Sequence, residues 1–279
     1  MYRKKIICKY ISKQIKILYS VAYVTFKEWA AYRSHMLVSL FVGPTYFLVQ
    51  YFIWNAIYSQ QESLSGLTLD KMLAYYGIVA LINYCIMDFA DWNLQMLIRT
   101  GKFLTFMLRP VSHRFFALSQ KIGHRILGLM LEFIPVYLIF YFVFGIKLIP
   151  HNFFWSSLSI LLSFLMMFYV DYCIGITGFW LIKTGSVRKL IHLARDVFSG
   201  VYLPLSMFPG FLQKILLFLP FQFISYVPAR VFIGSYSLAG YEIAIPHIVG
   251  IQALAVLAMW AISELMWKAG IKRFTGVGA

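Results

Sequence analysis

Long uncharged runs recur along the chain. Residues 36–61, 148–170 and 243–263 contain no Asp, Glu, Lys or Arg, and each matches the roughly 20 apolar residues that carry a helix across a bilayer. Residues 122–145 are interrupted only by Arg125 and Glu132, residues 72–87 run uncharged as far as Asp88, and residues 197–213 are uncharged after Asp196. The pattern predicts an all-α integral membrane protein with six transmembrane helices, at 35–58, 72–92, 122–145, 153–182, 188–206 and 241–267.

Two further stretches have a different pattern. Between Lys214 and Arg230 lie only 15 residues, and prolines at 204, 209, 220 and 228 punctuate the region. Proline removes a backbone donor and breaks a straight helix, so 207–232 reads as a re-entrant pair of half-helices sheltered by protein. An interfacial loop is the alternative. In residues 1–34, Lys5, Lys9, Lys13, Lys16 and Lys27 share one helical face, while Ile7, Ile11, Ile15, Leu18, Ala22 and Trp29 share the other. This is a basic amphipathic helix for the inner membrane surface, its lysines toward anionic lipid headgroups; a solvated helix packed on another protein has the same pattern.

Composition supports the membrane reading. Hydrophobic residues make up 61% and charged residues 13% of the 279, against about 25% charged in soluble domains. The net charge of +15 would suit nucleic acid, but its distribution argues otherwise. With a cytoplasmic N-terminus and six spans, the inside segments hold eight, six, four and three cations, and the outside segments hold only Lys71, Lys147, Lys214 and Arg230. That is the positive-inside pattern. It predicts a multi-pass protein of the plasma (inner) membrane with both termini cytoplasmic, and it leaves no role for nucleic acid. The start MYRKK imitates a signal peptide, but Lys9, Lys13 and Lys16 interrupt the apolar residues after it and no small-residue cleavage site appears, so the N-terminus is expected to be retained. No repeat or flexible linker divides the chain, which reads as one domain over 1–279.

Candidate chemistry is sparse. Cys8, Cys85 and Cys173 have no CxxC spacing and are expected to be reduced and structural. The histidines at 35, 113, 124, 151, 192 and 247 lack metal-ligand spacing, so no metal site is expected. Neither a phosphate-cradling G-x-x-x-x-G-K-[ST] loop nor a nucleophile elbow occurs. No catalytic residue and no cofactor is therefore expected on this chain. Asp88 and Asp91 fall low in the second expected span, Glu132 in the third and Asp171 in the fourth. An intramembrane carboxylate often marks a pathway, so Glu132 and Asp171 are candidates for a substrate or proton route. The other reading, favoured by their small number and irregular spacing, is that neighbouring helices neutralise them and they fix packing.

One cytoplasmic stretch stands out: GKFLTFMLRP, residues 101–110, between the second and third spans. Phe103, Leu104, Phe106, Met107 and Leu108 would form a short helix with an apolar knob, Lys102 and Arg109 would stay wet, and Pro110 would end the turn. Such a knob suits a groove on a soluble partner with an acidic rim. An interfacial elbow on the headgroups is the plainer reading.

The six-span layout with an amphipathic N-terminal helix resembles the permease subunit of type-2 ABC exporters. RTGKFLTFMLRPVS (99–112) is similar to that family's cytoplasmic segment of form G-x-[LF]-x-x-x-[LM]-x-x-P, with Gly101, Phe103, Met107 and Pro110 at the landmarks and Arg109 before the proline. Residues 198–234 are similar to its late segment, with Gly200, Pro204, Pro209, Pro220 and Pro228 in place. The resemblance implies that Gly101, Phe103, Leu104, Met107, Leu108, Arg109 and Pro110 couple the chain to a separate ATPase subunit. It also implies that two ATPase copies, which hold ATP and Mg, drive a pair of permease chains, identical or homologous. Residues 207–232 would line or cap the exit for an amphipathic or hydrophobic substrate moved outward. The elbow is purely basic here, whereas some members carry an acidic residue in it. Rival readings are an ATP-independent secondary transporter, which would show repeated halves, and an intramembrane lipid-modifying enzyme, which would need clustered His, Asp or Cys.

Overall fold

The computed structural model describes residues 2–31, 34–60, 62–64, 67–181 and 185–274, with side chains for all of these except 2–11 and 34–37. Lys183 and the side chains of Lys5, Ile7, Cys8, Lys9, Ile11 and His35 lie outside the described residues. In chain order the helices are α1 (Tyr2–Ala31), α2 (Ser34–Tyr58), α3 (Leu69–Ile86), α4 (Ala90–Arg99), α5 (Phe103–Met107), α6 (His113–Gly128), α7 (Ile134–Phe142), α8 (Phe153–Ile176), α9 (Gly185–Phe198), α10 (Gly210–Leu216) and α11 (Tyr226–Ile233). A hairpin of β1 (Tyr236–Leu238) and β2 (Tyr241–Ile243) then leads into α12 (Ile245–Ile271).

Five helical stretches among the described residues are long and apolar enough to cross a membrane: Val38–Tyr58, Leu69–Arg99, His113–Phe142, Phe153–Phe179 and Ile245–Ile271. The interval expected as a sixth long helix, 188–206, is not one of them. It holds the 14-residue α9, which carries Arg188, Lys189, His192, Arg195 and Asp196, followed by irregular backbone. At 1.5 Å per residue α9 reaches only about 21 Å, short of the ~30 Å hydrocarbon core.

The direction of α12 makes that interval informative. Ser159 of α8 hydrogen-bonds Gln252, Tyr172 stacks on Trp267 at 5.8 Å, and Phe179 packs on Gly270. The pairs advance together, so α8 and α12 run parallel. Residues 180–244 must therefore climb back along the 24 residues of α8, about 36 Å. They do so in pieces.

Interruptions within the long helices have local causes. In α2, Tyr84 Oη sits between the Gly43 N–H, which donates to it at 2.9 Å, and the Ser39 carbonyl, to which it donates at 2.7 Å. The hydroxyl replaces one rung of the ladder just before Pro44, a recognised way to bend a helix. A Cβ on Gly43 would lie 2.7 Å from the Tyr84 ring, so only glycine admits the phenol. Between α3 and α4 the chain breaks at 87–89, where Asp88 Oδ1 accepts from the N–H groups of Phe89 and Ala90 at 2.7 and 3.1 Å. Between α6 and α7 a π-turn spans Leu129–Phe133. Pro135 lies just beyond, and the extra residue in the turn relieves the clash its ring makes with the preceding turn.

The N-terminal helix is built into the molecule. Ala22 and Thr25 of α1 are buried, and α1 lies against α6 where Gly123 brings the backbone into contact with the Ala22 carbonyl. Lys13, Lys16 and Lys27 point outward. Of the expected apolar face, Ala22 is buried and Leu18 and Trp29 are half-buried, while Ile15 stays exposed.

Candidate functional site

The first cluster is the elbow between α4 and α6. Gly101 adopts φ +70°, a left-handed conformation that glycine takes without strain, and this reverses the chain out of α4. After Lys102 the five residues Phe103–Met107 form α5, whose two faces differ completely. Phe103 and Phe106 turn inward and are 1% and 6% exposed. Phe103 meets Phe274, Phe179 and Trp267 with ring centroids 5.1, 5.4 and 5.9 Å away, and Phe106 meets His113 and Phe116 at 4.8 and 5.2 Å. Leu104 and Met107 are about half exposed and Leu108 is 85% exposed. The assignment of Phe103 to a partner-facing knob is thus corrected: it belongs to the aromatic base that anchors the elbow, while Leu104, Met107 and Leu108 form the outer surface. Arg109 is exposed, yet its guanidinium lies 5.3 Å from the rings of both Phe106 and Phe116, a cation–π arrangement. Pro110 is exposed at the turn into α6. A cleft of about 620 Å³ lies beside the elbow, with Lys102, Thr105 and Arg109 on its wall.

The second cluster is a layer of buried charge. Arg195 Nη1 of α9 lies 2.6 Å from Asp171 of α8, and His192 Nε2 and Arg188 Nη1 of α9 lie 2.8 and 3.4 Å from Asp91 of α4. Arg125 sits 3.6 Å from Glu132 and donates to the Tyr84 carbonyl at 2.8 Å, and Ser39 donates to Glu132. Lys121 pairs with Asp88 at 3.5 Å. Glu132 and Asp171, the two candidates for a substrate route, are 3% and 0% exposed and each holds an arginine. A buried carboxylate without a cation would carry a large desolvation cost, so these pairs account for both. Sequence reasoning missed Arg195 as the partner of Asp171 and His192 as a partner of Asp91. The available signal was spacing: 188, 192 and 195 lie on one helical face.

The third cluster is the broken path from α9 to the hairpin. Four consecutive carbonyls after α9 lack helical partners and are satisfied from elsewhere. Ser199 accepts from the Tyr226 N–H at 2.9 Å, Gly200 from Tyr75 Oη at 2.6 Å, Val201 from Tyr46 Oη at 2.6 Å and Tyr202 from Tyr76 Oη at 3.0 Å. Gly200 has φ +87°, and a Cβ there would stand 2.7 Å from the Tyr75 hydroxyl. The prolines open the helical pieces: Pro204 precedes the 3₁₀ turn Leu205–Met207, Pro209 precedes α10, Pro220 begins the 3₁₀ turn Pro220–Phe223, and Pro228 lies in the first turn of α11. A missing N–H costs nothing at these positions. Ser163 of α8 donates to the Ile224 carbonyl, and Gln252 of α12 donates to the Phe223 carbonyl at 3.1 Å. The hairpin turns at Ala239 and Gly240, both with positive φ, as a type I′ turn demands. Gln213 of α10 accepts from the Ala239 N–H at 2.8 Å and ties the hairpin down.

Cys85 and Cys173 are free, and no metal-binding group of His, Cys, Asp and Glu forms among the described residues.

A family model described as ABC-2 family transporter protein matches residues 45–278. No curated protein matches the chain.

Proposed function

The chain belongs to the ABC-2 transporter family, and from that premise we propose that it is the membrane-spanning subunit of an exporter driven by ATP hydrolysis on a separate chain. It is a multi-pass membrane protein and a transport permease rather than an enzyme. In the proposed arrangement two such chains, identical or homologous, sit on two ATPase subunits that hold ATP and Mg. Both termini are cytoplasmic, and α9 with the broken path after it makes the sixth crossing. An amphipathic or hydrophobic substrate moves outward, and α10 and α11 line or cap its exit.

The observation that carries this reading is the two-faced α5. A surface of Leu104, Met107 and Leu108 with Lys102 beside it is presented on a helix whose other face is fixed among aromatic rings of α8, α12 and the chain just beyond each. A push on such a helix passes directly to two spans. The Phe103 and Phe106 base contributes rigidity, and the outer residues contribute contact.

The test is co-purification. The tagged chain should bring down ATP-hydrolysing activity from its native membrane, and replacing Met107 and Leu108 with Asp should reduce that activity at least about tenfold, since new charges in an apolar groove carry a desolvation penalty. Membrane insertion and thermal stability should be unchanged, because both residues are exposed. Full retention of ATPase activity by the double variant would refute the coupling role.

A further inference from the structure

A cavity of about 320 Å³ lies between α3, α7 and α8 and shares no residue with the elbow or the clefts beside it. It extends along the helices rather than across them. Its wall on α3 runs from Ile78 to Cys85 and its wall on α8 from Phe153 to Ile160, a rise of about 10 Å on each. Phe133 and Tyr137 of α7, with rings stacked 6.5 Å apart, make the third wall. Leu148, Pro150 and Phe232 of α11 roof the end near Ile78 and Phe153. There Leu148 lies against Gly77, and the His151 N–H donates to the Phe232 carbonyl at 2.9 Å.

The chemistry of the walls selects the occupant. No Asp, Glu, Lys, Arg or His lines this space, whereas the clefts at the elbow carry Arg114 and Glu264, or Lys102 and Arg109. A charged group would lose its hydration here without a partner, and an ordered water needs two to four polar neighbours that nearly continuous hydrocarbon walls do not supply. The volume is about twice that of the ~150 Å³ apolar cavities that take up benzene. Phe153 and Ser157 on the wall are exposed, so the space has a mouth. Around that mouth Ile134 and Leu138 of α7 and Leu161 of α8 are also exposed, all within stretches apolar and long enough to cross a membrane. The mouth therefore opens onto lipid.

We infer that this cavity holds one acyl chain of a membrane phospholipid, entering beside Ser157 and lying along the helix axes. An elongated apolar slot parallel to the spans has the direction of the chains in the surrounding bilayer, and a chain filling it recovers dispersion contacts that an empty slot forfeits. Lys147 and His151, both exposed, flank the roof residues Leu148 and Pro150 in sequence, which suits the phosphate end of the lipid. The chain then braces α3 against α8 and bears on Phe232 of α11, the helix that the exporter reading assigns to the exit. The site itself does not depend on that reading.

The experiment reconstitutes the full chain in phosphatidylcholine vesicles containing a trace of phosphatidylcholine with a diazirine on one acyl chain. After irradiation, adducts are mapped by peptide mass spectrometry. Adducts on 78–85 and 153–160 should exceed, per residue, those on the exposed Phe41, Val49 and Phe52 of α2 at least about fivefold. Moving the diazirine from mid-chain to chain end should shift them from Ser157 toward Cys85. Ser157→Trp, which fills the mouth from an exposed position, should remove the excess and leave the α2 adducts unchanged. Adducts at the α2 level would mean ordinary boundary lipid, and adducts below it would mean a different occupant; either result overturns the inference. So does an excess that ignores the diazirine position, a measurement made on the unaltered chain, or one that survives in a folded Ser157→Trp variant. No ATPase or transport enters the assay, so its failure is distinct from failure of the co-purification.

Discussion

The elbow at α5 and the broken path from α9 to the hairpin are both apolar and both contain proline, yet the path adds to its apolar packing a set of polar contacts that the elbow lacks. The elbow rests on rings: Phe103 touches Phe106, Phe179, Trp267 and Phe274, and no hydrogen bond fixes its side chain. The broken path is held by directed polar contacts, with three tyrosine hydroxyls on successive carbonyls and α9 pinned through Arg195 to Asp171. Ring packing is non-directional and summed over many contacts, which suits an element that must carry a push without deforming. Hydrogen bonds and ion pairs are lost over small displacements, which suits an element that must open and re-form. In the proposed exporter the first would transmit and the second would release.

The contrast can be broken at three points. The largest effect is expected from Arg195→Met, which leaves Asp171 fully buried without its cation and should destabilise by about 3–5 kcal/mol, read as a lowered unfolding temperature in detergent. Adding Asp171→Leu should restore most of that loss, because the unpaired charge is gone; a double variant as unstable as the single one would show that α9 is not held by this pair. Next comes Phe103→Ala, which should cost about 3 kcal/mol through lost burial and the cavity left behind, whereas Leu108→Ala in the same elbow should stay within about 0.5 kcal/mol. Equal effects at the two positions would contradict the two-faced elbow. The smallest is Tyr46→Phe, which removes one hydroxyl from the Val201 carbonyl and should cost about 1 kcal/mol. It should also raise the transport or ATPase rate if release of this contact limits opening, and an unchanged rate would sever the clamp from the gate.

Some features were readable from local sequence because they depend on local sequence. Uncharged runs near 45, 80, 135, 165 and 255 mark long helices wherever they pack, since an apolar stretch of that length has no other low-energy home. The glycine and proline landmarks at 101, 110, 200 and 204 likewise act through their own backbone preferences. The segment 188–206 differs for the same reason in reverse: the uncharged run that begins at 197 continues to 213, beyond the segment, while the break after Phe198 is tolerated because hydroxyls from α2 and α3 reach it.

Run lengths and the one-sided placement of lysine and arginine thus arise from composition, because transfer of each residue between water and lipid is close to a property of that residue alone. Which face of α5 turns inward, that Asp171 answers to Arg195, and that α8 and α12 run parallel were decided only when the helices came together. Those outcomes depend on partners that lie far away in the chain, Phe274 against Phe103 among them, and the cost of burying a charge or a carbonyl has no fixed value until its partner is in place.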